Sequence, residues 1–204
     1  MATAELTRWF LALFFLSVAL FYLIRITSVK RKVGLSPVCY GKIGTLHWAT
    51  HTVFRVFRTL ILIVCFARLA WPDFDKYLLT FDALWYSEIF FLGSCILVVS
   101  FSAIITLHLF MGEDWRSGTR ARDNTRLYTT GPFKLTRNPM MLAVIMGQVG
   151  LFLALPSMFT LVCLVLGVWA VNAQVRVEER LLLQRFGAEY EMYMARTSRW
   201  LIFR

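Results

Sequence analysis

Apolar runs of membrane-crossing length alternate with short polar connections along this chain. Trp9 to Ile26 is the first run, followed at once by Lys30-Arg31-Lys32, and the spacing predicts a retained transmembrane helix rather than a cleaved signal segment. A loop over Gly34 to Gly44, with Pro37 and its glycines, leads into a second run, Trp48 to Ala70. A third covers Ile89 to Met111. From Pro139 to about Asn172 the sequence is apolar again, interrupted by Pro156-Ser157. A straight helix of that length would reach about 50 Å, well beyond a hydrocarbon core of about 30 Å, so a hairpin of two short spans turning at Pro156 is expected. Beyond it, Arg176 to Arg204 mixes charged and apolar positions at helical spacing, with Val177, Leu181, Leu182, Leu183 and Phe186 on one face and Gly187 as an interruption. This pattern predicts an amphipathic cytosolic helix with a basic, aromatic tail suited to a membrane interface.

The predicted fold is therefore all-α: an integral membrane protein of about five transmembrane helices, ending in a helical hairpin and an amphipathic helix. Residues 1–111 supply three N-terminal spans and residues 112–204 a second half of one membrane domain. Connections after the first and third runs are basic, whereas Trp71 to Glu88 carries Asp73, Asp75, Asp82 and Glu88 against Lys76. The positive-inside rule then puts the N-terminus outside and the C-terminus in the cytoplasm.

Composition agrees, with 58% hydrophobic residues. The net charge of +10 raises nucleic-acid binding as an alternative. Its basic residues lie beside apolar runs and no nucleic-acid motif accompanies them, so membrane topology accounts for the charge. The four cysteines, at 39, 65, 95 and 163, have no paired spacing that would indicate a disulfide framework or zinc site. His47 and His51 share a helix face, but no third ligand stands near them in sequence, and they and His108 read as interfacial residues. Arg55 and Arg58 read as side chains that snorkel to the interface.

Candidate chemistry gathers in two places. In Leu127 to Pro139, Gly131-Pro132 is a turn and Asn138-Pro139 sets an N-cap residue before a helix-starting proline. The free N–H groups of that helix start would suit a ligand's carboxylate or hydroxyl. The second place is the Arg176 to Tyr193 segment, where Glu178 and Glu179 stand beside Arg176 and Arg180. Hairpin geometry would bring both to the cytosolic face as one pocket; the plainer alternative is solvated ion pairs on a surface helix.

Four blocks in order, Gly112-Glu113-Asp114-Trp115-Arg116-Ser117-Gly118, Leu127-Tyr128-Thr129-Thr130-Gly131-Pro132-Phe133, Arg137-Asn138-Pro139-Met140, and Glu178-Glu179 with Leu182, Phe186-Gly187 and Tyr190, give the C-terminal half a resemblance. It resembles the isoprenylcysteine carboxyl methyltransferase and phospholipid methyltransferase superfamily. The resemblance implies an S-adenosylmethionine-dependent membrane methyltransferase acting on a lipid or prenylated substrate from the bilayer, at a carboxylate or an amine. It would set Leu127, Tyr128, Gly131 and Phe133 along the cofactor, Asn138, Pro139 and Met141 at the helix start, and Glu178 with Glu179 on its amino or hydroxyl groups. Arg137 and Arg176 would orient the acceptor. The chain departs from the family pattern at Met141, where an aromatic residue is usual, and at Phe133, where tyrosine is frequent. A nicotinamide-dependent membrane reductase of the sterol-reductase type, and a non-enzymatic protein keeping the fold, are the competing expectations.

Overall fold

The computed structural model describes residues 2–34, 36–38, 40–115 and 126–201. Cys39 and the Arg116-Ser117-Gly118 end of the first motif block lie outside the described residues.

Six α-helices form among the described residues: α1 (Ala2–Val33), α2 (Leu46–Ala70), α3 (Ser87–Met111), α4 (Pro139–Ala154), α5 (Met158–Phe186) and α6 (Ala188–Arg196). Neighbouring helices pack in the order α1, α2, α5, α4, α3 and back to α1, so the first five close into a ring. Three of them, in the segments Ala4–Lys32, Ser87–Asp114 and Met158–Phe186, are long and apolar enough to cross a membrane. The other two expected spans differ from these for identifiable reasons. Helix α4 has 16 residues, about 24 Å at ~1.5 Å per residue, and α2 carries Arg55, Arg58 and Arg68 within its apolar sequence. The protein is an all-helical, membrane-spanning chain.

The hairpin turns where Pro156 predicts it. Ser157 Oγ accepts from Thr160 N and Thr160 Oγ1 accepts from Ser157 N, each at 3.3 Å, a reciprocal cap that starts α5. The connection between α2 and α3 folds onto this turn: Phe81 N donates to Pro156 O and Met158 N to Leu79 O, each at 3.0 Å. Beneath lies an apolar core that includes Leu11, Val64, Cys65, Leu78, Leu97, Leu151 and Leu155.

Helices α3 and α4 approach closely because their interface is made of small residues. A Cβ at Gly93 would fall 2.3 Å from Ala154 N, and one at Gly150 would fall 2.9 Å from Leu97 N. Ser100 Oγ donates to Ala143 O at 2.7 Å across the same seam. In lipid, where water does not drive helices together, such backbone proximity and buried hydrogen bonding hold them.

One expectation is corrected. The segment from Arg176 is not a separate amphipathic helix: α5 runs unbroken from Met158 to Phe186, carrying Glu178 and Glu179 on the continuation of a spanning helix. The break comes only at Gly187, whose φ of 49° is costly for other residues, and the short α6 follows.

Candidate functional site

At the end of the bundle opposite the hairpin turn, a short 3-10 turn over Gly131–Lys134 precedes α4. Gly131 adopts φ of 61° and lies against Phe110; a Cβ there would meet that ring at 2.9 Å. The close approach lets Phe110, Tyr128 and Phe133 cluster, with ring centroids 5.5 to 6.2 Å apart.

Asn138 occupies the N-cap position of α4, but its side chain makes no cap. Its Nδ2 donates instead to Glu179 Oε1 at 3.2 Å. Arg137 Nε donates to the same oxygen at 3.0 Å, while Arg199 Nε and Nη2 donate to Oε2 at 2.9 and 2.6 Å. Arg137 Nη1 also reaches Thr197 O at 2.8 Å, and Thr136 Oγ1 reaches Arg199 O at 2.7 Å. Glu179 is thus the buried centre of a clamp joining the loop before α4, the end of α5 and the chain after α6. Tyr193 closes it by donating to Phe133 O at 2.6 Å. Burial pushes the Tyr193 phenol up to about 12, so it stays a donor throughout the neutral range. With the Asn138 amide diverted, the first N–H groups of α4 are left without a side-chain cap.

Above this clamp is a cavity of about 400 Å³, within the range of small-molecule sites, ~300–1,000 Å³. It draws walls from every helix. Leu127, Tyr128, Phe133, Asn138, Pro139, Met141 and Glu178 all line it, as does Arg137. Glu178 accepts from Gln174 Nε2 at 2.9 Å through Oε1, and no described residue bonds its second oxygen. Gly131 shapes the wall from behind, and Glu179 sits underneath in the clamp. Arg176 is exposed and lies on a separate shallow recess with Arg180, Leu183 and Met194.

The other wall of the cavity was not anticipated as part of a site. Tyr22 of α1, His51, Arg55 and Arg58 of α2, and His108 of α3 also line it. His108 is 1% exposed and packed among Phe21, Tyr22 and Trp115. His51 is buried against His47 and Tyr40. Both arginines point to the cavity, Arg55 with its guanidinium 5.5 Å from the Tyr40 ring centre and Arg58 4.9 Å from that of Tyr22. The available signal was their position: ionisable residues inside a long apolar run are functional candidates. Among the described residues no group of three or more His, Cys, Asp or Glu could hold a metal ion.

Membrane-spanning helices around a cavity lined by both polar and apolar side chains define an integral membrane protein with a candidate small-molecule site. The phospholipid methyltransferase family model matches residues 85–189, and the chain belongs to this family of integral membrane methyltransferases. No curated protein and no solved structure matches the chain.

Proposed function

We propose that the protein transfers a methyl group from S-adenosylmethionine to a lipid or lipidated acceptor, a carboxylate or an amine, admitted from the bilayer. The observation that carries this reading is Glu178, a half-buried carboxylate on the cavity wall whose second oxygen no described residue bonds, in one cavity with the uncapped start of α4 and the Tyr128–Phe133 aromatic pair. These residues fit the group: a carboxylate for ammonium or hydroxyl donors, free N–H groups for a carboxylate, and ring faces for a flat base or a sulfonium. When bound, the cofactor supplies an electrophilic methyl on sulfur.

Displacement at that carbon asks for alignment and a dry setting more than for proton transfer. Leu127, Met140, Met141, Val144 and Leu182 provide the apolar walls. Arg137 is a positioning residue through Glu179, and its place on the cavity wall lets it also face the acceptor. A carboxylate acceptor needs no base. For an amine, Glu178 is the carboxylate placed to take the proton, because Glu179 is committed to Arg137, Asn138 and Arg199. Five crossings, with α2 and α4 completing the bundle, would keep the cavity on the cytoplasmic side, the N-terminus outside and the C-terminus inside.

Calorimetric titration of the detergent-purified protein with S-adenosylmethionine and S-adenosylhomocysteine tests this. Both should bind, and Glu178→Ala should weaken them about tenfold or more, the loss expected for a charge-assisted hydrogen bond. Binding of NADPH instead would replace the reading with a membrane reductase, and binding of none would favour a non-enzymatic protein.

A further inference from the structure

Outside the cavity, the far end of α5 gathers more cations than the carboxylates there can meet. A shallow recess of about 290 Å³ is lined by Arg176, Glu179, Arg180 and Leu183 of α5 and by Met194 and Arg199. Arg176 and Arg180 stand about one turn apart on one helix face. Both are exposed, and no carboxylate of the described residues forms an ion pair with either. Glu179, the recess's own carboxylate, has both oxygens taken by Arg137, Asn138 and Arg199. That clamp sets two guanidiniums against one carboxylate, so it adds positive charge to the recess. Arg199 spends Nε and Nη2 on Glu179, its Nη1 bonds no described residue, and its side chain is 41% exposed.

Depth along the helix says where this charge sits. Helix α5 is one of the segments long and apolar enough to cross a membrane, and it starts at Met158 beside the hairpin turn. Exposed Trp71, Tyr77 and Tyr86 of the connection at that end are the aromatics expected at a membrane boundary. From Met158, Arg176 and Arg180 lie about 27 and 33 Å along the helix at ~1.5 Å per residue, at the far edge of a hydrocarbon core of about 30 Å. They reach the level of lipid phosphates. We propose that Arg176, Arg180 and the free Nη1 of Arg199 form a binding site for a phosphate oxoanion, carried by a membrane lipid headgroup or free in solution. Guanidiniums grip phosphate oxygens through paired N–H donors, and basic pockets beside spanning helices hold anionic headgroups. Leu183 and Met194 give the recess an apolar border that suits the lipid source. The occupant is not the methyl acceptor, because recess and cavity share no lining residue. An anion here ties the end of α5 to the chain after α6 from outside, as Glu179 ties them from within.

The test is calorimetric titration of the full-length protein in an uncharged maltoside with dioctanoyl phosphatidylglycerol and, separately, with inorganic phosphate. Phosphatidylglycerol should bind, and Arg176→Gln and Arg180→Gln should each weaken it about fivefold or more, Arg180→Lys less. Arg31→Gln, which removes an exposed cation from α1, should leave it within about twofold. Both recess substitutions fall on exposed side chains and should leave the thermal midpoint unchanged. Inorganic phosphate that binds as tightly as the lipid, and is lost in the same variants, identifies a soluble anion as the occupant; weaker phosphate identifies the lipid. Unchanged phosphatidylglycerol binding in both glutamine variants would overturn the proposal. So would an equal loss in Arg31→Gln, which would assign the binding to general surface charge, or wild-type protein that binds neither anion. No cofactor enters these titrations, so their outcome is separate from that of the methyl-transfer reading.

Discussion

The two ends of the helix bundle handle charge in opposite ways. At the hairpin end, Asp75 accepts from Arg68 of α2 and, at 2.7 Å, from Arg8 of α1, so one carboxylate ties two helices and the intervening connection together. Burial by itself would raise the Asp75 carboxyl, but hydrogen bonds and charge from Arg68 and then Arg8 outweigh it and hold it below its usual value. At the cavity end, Arg55 and Arg58 are exposed on the lining with no carboxylate of the described residues paired to either, and across the same cavity no described residue bonds the second oxygen of Glu178. The first arrangement satisfies its charges internally and stabilises the fold. The second leaves opposite charges without partners among the described residues, the pattern of a binding site rather than of structural ion pairs. Between them, Glu179 belongs with the first kind although it neighbours Glu178 in sequence, because Arg137, Asn138 and Arg199 use both its oxygens.

Substitutions that exchange the two kinds of charge should break this contrast. The largest effect is expected from Asp75→Asn, which strands a buried Arg68 and should cost about 3 kcal/mol or more of stability, read as a fall in thermal midpoint in detergent. Glu179→Gln should follow at about 2–3 kcal/mol and should also impair S-adenosylhomocysteine binding, since the clamp positions Asn138 and the start of α4. If its thermal midpoint is unchanged, the clamp is not a stabilising element. By contrast, Arg58→Gln should alter stability by less than about 1 kcal/mol in either direction, as it removes a cation that no described carboxylate needs. A destabilisation as large as that of Asp75→Asn would place Arg58 among the structural charges.

The smallest effect is that of pH. A carboxyl with a depressed folded pKa contributes stability that is fully present above its unfolded value of ~3.9 and is lost as pH falls through the lower folded value. Thermal midpoints should therefore hold from neutral pH to about 5 and decline below about 4. Asp75→Asn should show a shallower acid decline than wild type. An equal slope in both would assign acid sensitivity to other groups.

Much of the fold was legible in the order of apolar runs. The turn at Pro156 follows from proline chemistry and from a run too long for one crossing, and Ser157 supplies the cap. The boundary after the hairpin was harder to read. Arg176, Glu178, Glu179 and Arg180 lower hydrophobicity without breaking a helix, so the change in polarity resembled the end of one element when α5 continues through it. Asn138 misled in a similar way: its residue type suits capping, but Glu179 competes for its amide and takes it.

By itself the sequence determined that this is a helical membrane protein, where its chain reverses, and that Leu127 to Pro139 and the Glu178-Glu179 pair carry its candidate chemistry. These are local properties, set by hydropathy, turn residues and motif spacing. Only the tertiary structure decided that the adjacent glutamates part, Glu179 into a structural clamp and Glu178 onto the cavity wall, and that Arg55, Arg58, His51 and His108 face the same cavity from helices far off in sequence. Whether a charge is structural or available depends on what lies opposite it in space. That partner is set by how the helices close into a ring, which no local pattern encodes.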